Sequence, residues 1–216
     1  MSTQIKRKII CPECGAAAET PLWAGITADD NPELREKVLD ETLFDWKCPE
    51  CEYSARFLYP CLYHDKKLGF MVYAVPEGCG KAPGPDGICE KFPQLSGVKK
   101  RLVNSPARLK EKVLIFEAGL DDLAVELVKL AMADVLKNKY GKKVETCYFC
   151  YADKDNNQIG FSFFLEGEKE PIRRRTKMNA YEKTLEIAGQ AGLSDGGDFL
   201  SVDSDFANKV LAEYKG

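Results

Sequence analysis

The chain has 216 residues, of which 44% are hydrophobic and 30% charged, and its net charge at pH 7 is −3. This composition is typical of a soluble globular protein with one sizeable domain or two small ones. It indicates no general attraction to nucleic acid or membranes, and the longest apolar runs are too short to span a bilayer. Because no apolar signal segment follows Lys6, Arg7 and Lys8, we expect a cytoplasmic protein.

Two matching Cys-Pro-Glu-Cys motifs are the most specific feature of the sequence, and 33 residues separate them. Pro12 and Pro49 fix the backbone inside each motif, and Gly15 permits the left-handed residue that closes such a turn. A redox motif stands alone at the start of a helix, whereas these motifs are paired. We therefore predict one structural Zn²⁺ per chain, with its four sulfur ligands supplied by Cys11, Cys14, Cys48 and Cys51. Four thiolates complete the tetrahedron, so no position remains for a catalytic water.

The segments around these motifs predict short strands and one helix. Asn31 is the expected N-cap of that helix, and Pro32 is its first residue. Further strands are expected over 55–62 and 68–75, with a turn at 63–67. Residues 1–78 are thus predicted to form a zinc ribbon of β-hairpins with an inserted short helix.

The rest of the chain predicts a loop and an α+β domain. Residues 79–98 are rich in Gly and Pro and are expected to form a loop or linker. Within 99–216, one helix should begin at Ser105-Pro106 and a longer one at Asp121-Asp122. Ile159, Phe161, Phe163 and Leu165 are predicted to share one face of a strand in an antiparallel sheet. The predicted fold class is α+β, with a helix pair and an antiparallel sheet after the ribbon.

Several further segments accompany the two motifs in a recognisable order. They are residues 31–39, Phe44 before the second motif, Leu62-Tyr63-His64-Asp65, Arg101-Leu102-Val103 and residues 115–122. Over roughly the first 130 residues, this order resembles the CpXC-domain proteins, a bacterial family named for its Cys-Pro-x-Cys motifs. The resemblance implies a zinc-binding domain and brings no biochemical activity with it.

Other cysteines are candidates for further metal ligands. Cys147 and Cys150 lie in an expected strand, where residues three apart point to opposite faces, so a packing role is favoured. A candidate second metal site consists of Cys61, His64, Cys79 and Cys89. Its irregular spacing favours free thiols in a loop.

Basic residues of the second half are candidates for binding anions or nucleic acid. Arg173, Arg175 and Lys177 would share one face of a strand. A second basic stretch comprises Lys99, Lys100, Arg101, Arg108, Lys110 and Lys112. Solvated surfaces with nearby acids explain both stretches as well. Residues 1–78 contain 9 Lys and Arg against 13 Asp and Glu, a net of −4, which disfavours phosphate binding by the ribbon.

The closed metal site favours a binding or scaffold module over an enzyme, with a protein as the expected partner and no membrane. One alternative is a nucleic-acid-binding zinc ribbon that uses the C-terminal basic stretches. A second is an enzyme of unknown type that uses His64 and Asp65, with Cys61 nearby. A turn histidine hydrogen-bonded to Asp65 or to the backbone would explain His64 without catalysis.

Overall fold

A computed structural model describes residues 1–78, 95, 97–193 and 197–215. The chain forms two units. The first contains residues 1–110 together with 197–200, and the second contains 111–193 together with 201–215. The predicted loop at 79–98 lies almost entirely outside the described residues. The domain boundaries at 78 and 99 stay predictions.

The first unit is built on a five-stranded mixed sheet. In the order β1-β2-β5-β6-β7, its strands are Thr3–Ile10, Ala17–Thr27, Cys61–Asp65, Phe70–Ala74 and Lys99–Val103. The pairs β1–β2 and β5–β6 are antiparallel, whereas β2–β5 and β6–β7 are parallel. At the β7 edge, Leu102 donates its backbone N–H to the carbonyl of Leu200 over 2.9 Å. The strand at 99–103 therefore belongs to the sheet of the N-terminal unit.

A helix and a small hairpin lie between β2 and β5. The helix α1 spans Pro32–Leu39, and the strands β3 and β4 span Asp45–Lys47 and Ser54–Arg56. The helix begins at Pro32, as predicted, but the Asn31 side chain does not cap it. The side-chain amide of Asn31 instead donates to Glu33 Oε1 over 2.8 Å.

The predicted turn at 63–67 is wrong, because the strand β5 extends to Asp65. Tyr63 is fully buried in this strand and stacks on Phe70, with 5.9 Å between ring centroids. The turn follows the strand, where Asp65 Oδ1 accepts the backbone N–H of Leu68 over 2.8 Å. The burial of Tyr63 in the strand and the hydrogen bond accepted by Asp65 explain why the turn follows β5.

The second unit combines helices with a three-stranded antiparallel sheet of order β10-β9-β8. Its strands β8, β9 and β10 span Val144–Asp153, Gln158–Leu165 and Ile172–Lys177. The helix α2 spans Pro106–Glu117 and contributes residues 111–117 to this unit. The helices α3, α4 and α5 span Asp122–Tyr140, Met178–Gln190 and Ser204–Lys215. The predicted apolar face of β9 is confirmed, since Ile159, Phe161, Phe163 and Leu165 are all buried. The predicted α+β class is likewise confirmed.

Helix α3 is buried all round in its first half. Asp121 caps it by accepting the backbone N–H of Ala124 over 2.9 Å, and Gly141 ends it with φ +67°. Asp122, Glu126 and Lys129 are buried with the apolar residues of these first two turns. No helix in the described part of the chain is long and apolar enough to cross a membrane.

Candidate metal centre

The first Cys-Pro-Glu-Cys motif forms the turn between β1 and β2. The backbone N–H of Cys11 donates to the carbonyl of Ala16 over 2.9 Å. The backbone N–H of Gly15 donates to the carbonyl of Cys11 over 3.0 Å, and Gly15 has φ +72°. This positive φ is the left-handed conformation that the sequence predicts for Gly15.

The second motif repeats this geometry between β3 and β4. Cys48 donates to the carbonyl of Tyr53 over 2.8 Å, and Glu52 donates to the carbonyl of Cys48 over 3.1 Å. Glu52 has φ +60° and occupies the position that Gly15 holds in the first motif. Sequence reasoning missed Glu52, although both residues follow the first cysteine of their motif by four positions.

The two turns bring the four predicted cysteine sulfurs into one cluster. Cys11 Sγ lies 3.7 Å from Cys51 Sγ, and Cys14 Sγ lies 3.8 Å from Cys48 Sγ. All four sulfurs lie within 4.8 Å of one another. A tetrahedral site with Zn–S bonds of about 2.3 Å requires sulfurs roughly 3.8 Å apart, whereas a disulfide requires about 2.0 Å. The cluster therefore has the dimensions of a four-sulfur metal site.

The thiols of this cluster do not ionise independently. Burial opposes a charge on Cys11, but backbone hydrogen bonds from Cys14 and Glu13 lower its pKa to about 7. A backbone hydrogen bond from Tyr53 favours the Cys51 thiolate, yet burial and the neighbouring sulfurs raise its pKa to about 12. A bound cation would offset the repulsion among four thiolates, so the cluster is electrostatically suited to a metal ion.

Trp46 packs beneath the cluster and connects the two hairpins. It lies in β3 and forms a buried group with Cys11 and Cys48. Its Nε1–H donates to Thr20 Oγ1 in β2 over 3.0 Å. The sulfurs are thus supported by apolar packing and by one hydrogen bond between strands of different hairpins.

The family model described as CpXC protein matches residues 9–129, which include both motifs and all four clustered cysteines. The chain belongs to the CpXC family. This membership confirms the resemblance inferred from the motifs and the segments that follow them. No curated protein and no solved structure matches the chain significantly.

The candidate second metal site of this CpXC protein divides between described and undescribed residues. Cys61 is fully buried in β5, where burial raises its pKa to about 12. His64 lies three residues later in the same strand, on the opposite face, and is half-buried. Cys79 and Cys89 lie outside the described residues. The second site stays a prediction.

His64 and Asp65, the residues of the enzyme alternative, point to opposite faces of β5. Asp65 is buried, and its Oδ1 is used by the turn at Leu68. Burial lowers the pKa of His64, which favours the neutral imidazole at pH 7. The two side chains therefore share no face of β5, and the enzyme alternative stays a prediction.

The predicted basic stretches differ in exposure. Arg173, Arg175 and Lys177 share the exposed face of β10, as predicted. Lys100, Arg101 and Lys112 are buried, so the candidate basic stretch from 99 to 112 is not a continuous basic surface. Lys112 Nζ donates instead to Asp122 Oδ2 over 2.6 Å and to the carbonyl of Val202 over 2.7 Å.

Cys147 and Cys150 lie in β8, as the sequence predicts. Cys147 is buried, whereas Cys150 is exposed with its Sγ 3.2 Å from Ser162 Oγ.

Among the residues that the structure describes, the four clustered cysteines are the one group of three or more potential metal ligands.

Proposed function

We propose that this CpXC protein is a binding or scaffold module whose four clustered cysteines hold one structural Zn²⁺. The observation that carries the proposal is the cluster itself, in which four sulfurs lie within 4.8 Å of one another. Four protein ligands fill a tetrahedral shell, and such zinc sites are structural. Zinc binding would then contribute to folding by joining the two hairpins. The functional surfaces would lie elsewhere on the chain.

Zinc is favoured by the donor set. Thiolate sulfur is a soft ligand, and a tetrahedral four-sulfur site selects Zn²⁺ or iron. Thiolates must stay reduced to bind a metal, which favours a reducing compartment, and we propose the cytoplasm. Exposed thiols such as that of Cys150, which forms no disulfide, persist where disulfides are reduced.

Elemental analysis of the purified full chain tests the metal. We expect one zinc and no iron per chain, and a lower unfolding temperature after chelation. Cys14→Ser should release the zinc, whereas Cys150→Ser, which removes another exposed thiol, should retain it. An iron-containing protein, or a Cys14→Ser variant with full zinc and unchanged stability, would contradict the proposal.

A protein is the partner class that this proposal favours. Wild type and a Cys48→Ser variant, used as paired baits in native lysate, compare partner capture with and without an intact cluster. A partner retained by the wild type alone supports a zinc-supported protein surface. Failure of the wild type to enrich any protein would contradict a protein partner and leave the zinc proposal standing.

Nucleic acid is a second candidate because Arg173, Arg175 and Lys177 form an exposed basic row on β10. Binding through three phosphates would weaken steeply as salt rises, with a slope of roughly −2 to −3 in a plot of log affinity against log salt. Mobility-shift titrations with single- and double-stranded RNA and DNA test this candidate. Absence of any shift at low salt would remove it.

A further inference from the structure

A groove in the second unit lies beside helix α3, strand β10 and helix α4, and its volume is about 420 Å³. Its floor and walls are mainly apolar, with Val128, Met132, Val135 and Leu136 contributed by α3. Val135 is 64% exposed even though it is a large apolar residue. An apolar concavity of this size, open to solvent, is typical of a binding site for a small ligand.

Cations lie along the same groove. Lys139, Arg174 and Arg175 line it, and no carboxylate of the described residues does. Lys139 Nζ and Arg174 Cζ both approach the Tyr140 ring, at 5.5 and 5.9 Å from its centroid. Arg174 donates to the Tyr140 hydroxyl and Arg175 to Gln158 Oε1. None of the three cations forms an ion pair with a carboxylate in the described part of the chain.

We propose that this groove binds a small amphiphilic anion, with its apolar chain along α3 and its anionic headgroup near Lys139 and Arg174. Burying the chain would remove exposed apolar surface, including that of Val135, from water. The headgroup, a carboxylate or an equivalent oxyanion, would supply the negative charge that the groove lacks. Binding to duplex nucleic acid would use the cations alone and leave the apolar walls exposed.

The groove is independent of the metal centre. Its lining runs from Val128 to Thr184, whereas the family match ends at residue 129. All of these residues belong to the second unit, and the four clustered cysteines belong to the first. Loss of zinc and loss of ligand binding can therefore be measured separately.

Calorimetric titration of the full chain with decanoate, below its micelle concentration, tests the proposal. Decyltrimethylammonium, which has the same chain length and the opposite charge, is the matched ligand. We expect decanoate to bind at least about tenfold more tightly. Equal affinity for the two ligands would overturn the assignment of an anionic headgroup.

Two exposed positions allow the groove to be changed without disturbing the core. Val135→Asp places a negative charge beside the apolar chain, and Lys139→Glu reverses one rim cation. Each should weaken decanoate binding about tenfold or more. Lys8→Glu makes the same charge change as Lys139→Glu on an exposed residue of β1 and should have no effect. Unchanged affinity in both groove variants would refute the site.

Methyl-labelled methionine gives a readout of position that does not depend on any variant. Met132 lines the groove, and Met71 lies in β6 of the first unit. Decanoate should shift the Met132 methyl resonance and leave that of Met71 in place. A shift of Met71 alone, or binding only to decanoate micelles, would show that the anion binds elsewhere or without a defined site.

Discussion

Gly15 and Glu52 hold equivalent positions in the two cysteine turns, with φ values of +72° and +60°. Each donates its backbone N–H to the carbonyl of the first cysteine of its own turn, over 3.0 and 3.1 Å. The hydrogen bond and the left-handed residue recur although one residue is glycine and the other is not. The shape of the turn, and not the glycine, is therefore the feature that the two motifs share.

Gly15→Ala should lower the free energy of unfolding by about 1 kcal/mol, because a Cβ disfavours the left-handed conformation. A Cβ on Gly15 would meet no atom within 4 Å, so the cost is one of backbone conformation and not of collision. Urea denaturation of the metal-loaded protein measures it. Gly189→Ala, in the last turn of α4 and equally free of contacts, is the control and should leave the free energy of unfolding unchanged or raise it slightly.

Glu52→Gly should leave the free energy of unfolding in the same assay unchanged or raise it slightly. Glycine adopts the left-handed conformation without the steric strain that the Glu52 Cβ causes, and this difference favours the folded state by about 1 kcal/mol. The substitution also removes the exposed pair between Lys47 Nζ and Glu52 Oε1, 2.9 Å apart, which contributes up to about 1 kcal/mol. A loss as large as that of Gly15→Ala would show that the two positions are not equivalent.

The features that the sequence predicts well are those with a strict local rule. The four cysteines and Gly15 follow from motif spacing, and the core face of β9 follows from alternation. Lys129 was missed because a charged residue between apolar neighbours on a helix is normally assigned to the solvent side. Its burial depends on Glu126 one turn earlier in α3 and on Glu111 in α2, and the sequence of α3 alone does not reveal the contact with Glu111.

Thr20 and Trp46 should be energetically coupled, because their hydrogen bond joins strands of different hairpins. Trp46→Phe removes the donor, and Thr20→Val leaves the largely buried indole N–H without its acceptor. A double-mutant cycle by urea denaturation should give a coupling energy of about 0.5–1.5 kcal/mol. A coupling energy of zero would mean that the hydrogen bond does not stabilise the fold.

Lys129 should be among the most sensitive single positions of the second unit. Its Nζ contacts Glu111 Oε1 at 2.8 Å and Glu126 Oε1 at 2.7 Å, and all three side chains are buried. Lys129→Met leaves two buried carboxylates without their shared cation and should cost about 3–5 kcal/mol. Lys137→Met, on the exposed surface of the same helix, should cost only a few tenths of a kcal/mol.

The double variant Lys129→Met with Glu126→Gln distinguishes charge from packing. If the loss comes from unpaired charge, removing one carboxylate should restore part of the stability of Lys129→Met. If the double variant is as unstable as the sum of the two single variants, the lysine acts through packing of its aliphatic stem.

Glu126 should make the stability of the protein fall as the pH rises above about 4.5. Burial raises the pKa of this carboxyl group from its ordinary value of 4.5, and the charge of Lys129 only partly offsets that effect. Glu126 Oε2 is buried and accepts no hydrogen bond from the described residues, which disfavours a charge on this carboxyl group. The folded state therefore retains this proton at pH values where the unfolded state has released it, and its stability falls across that interval.

Glu126→Gln removes this titration. The free energy of unfolding of the variant should therefore change less between pH 4.5 and 8 than that of the wild type. Each unit by which burial raises the pKa of Glu126 contributes about 1.4 kcal/mol to the loss of stability in the wild type, and the variant lacks this contribution. Glu213→Gln removes a carboxylate from the exposed surface of α5 and is the control. Urea denaturation at several pH values measures all three proteins under the same metal loading. If Glu126→Gln follows the wild-type profile throughout, burial does not raise the pKa of Glu126, because a carboxylate that titrates alike in both states adds no slope.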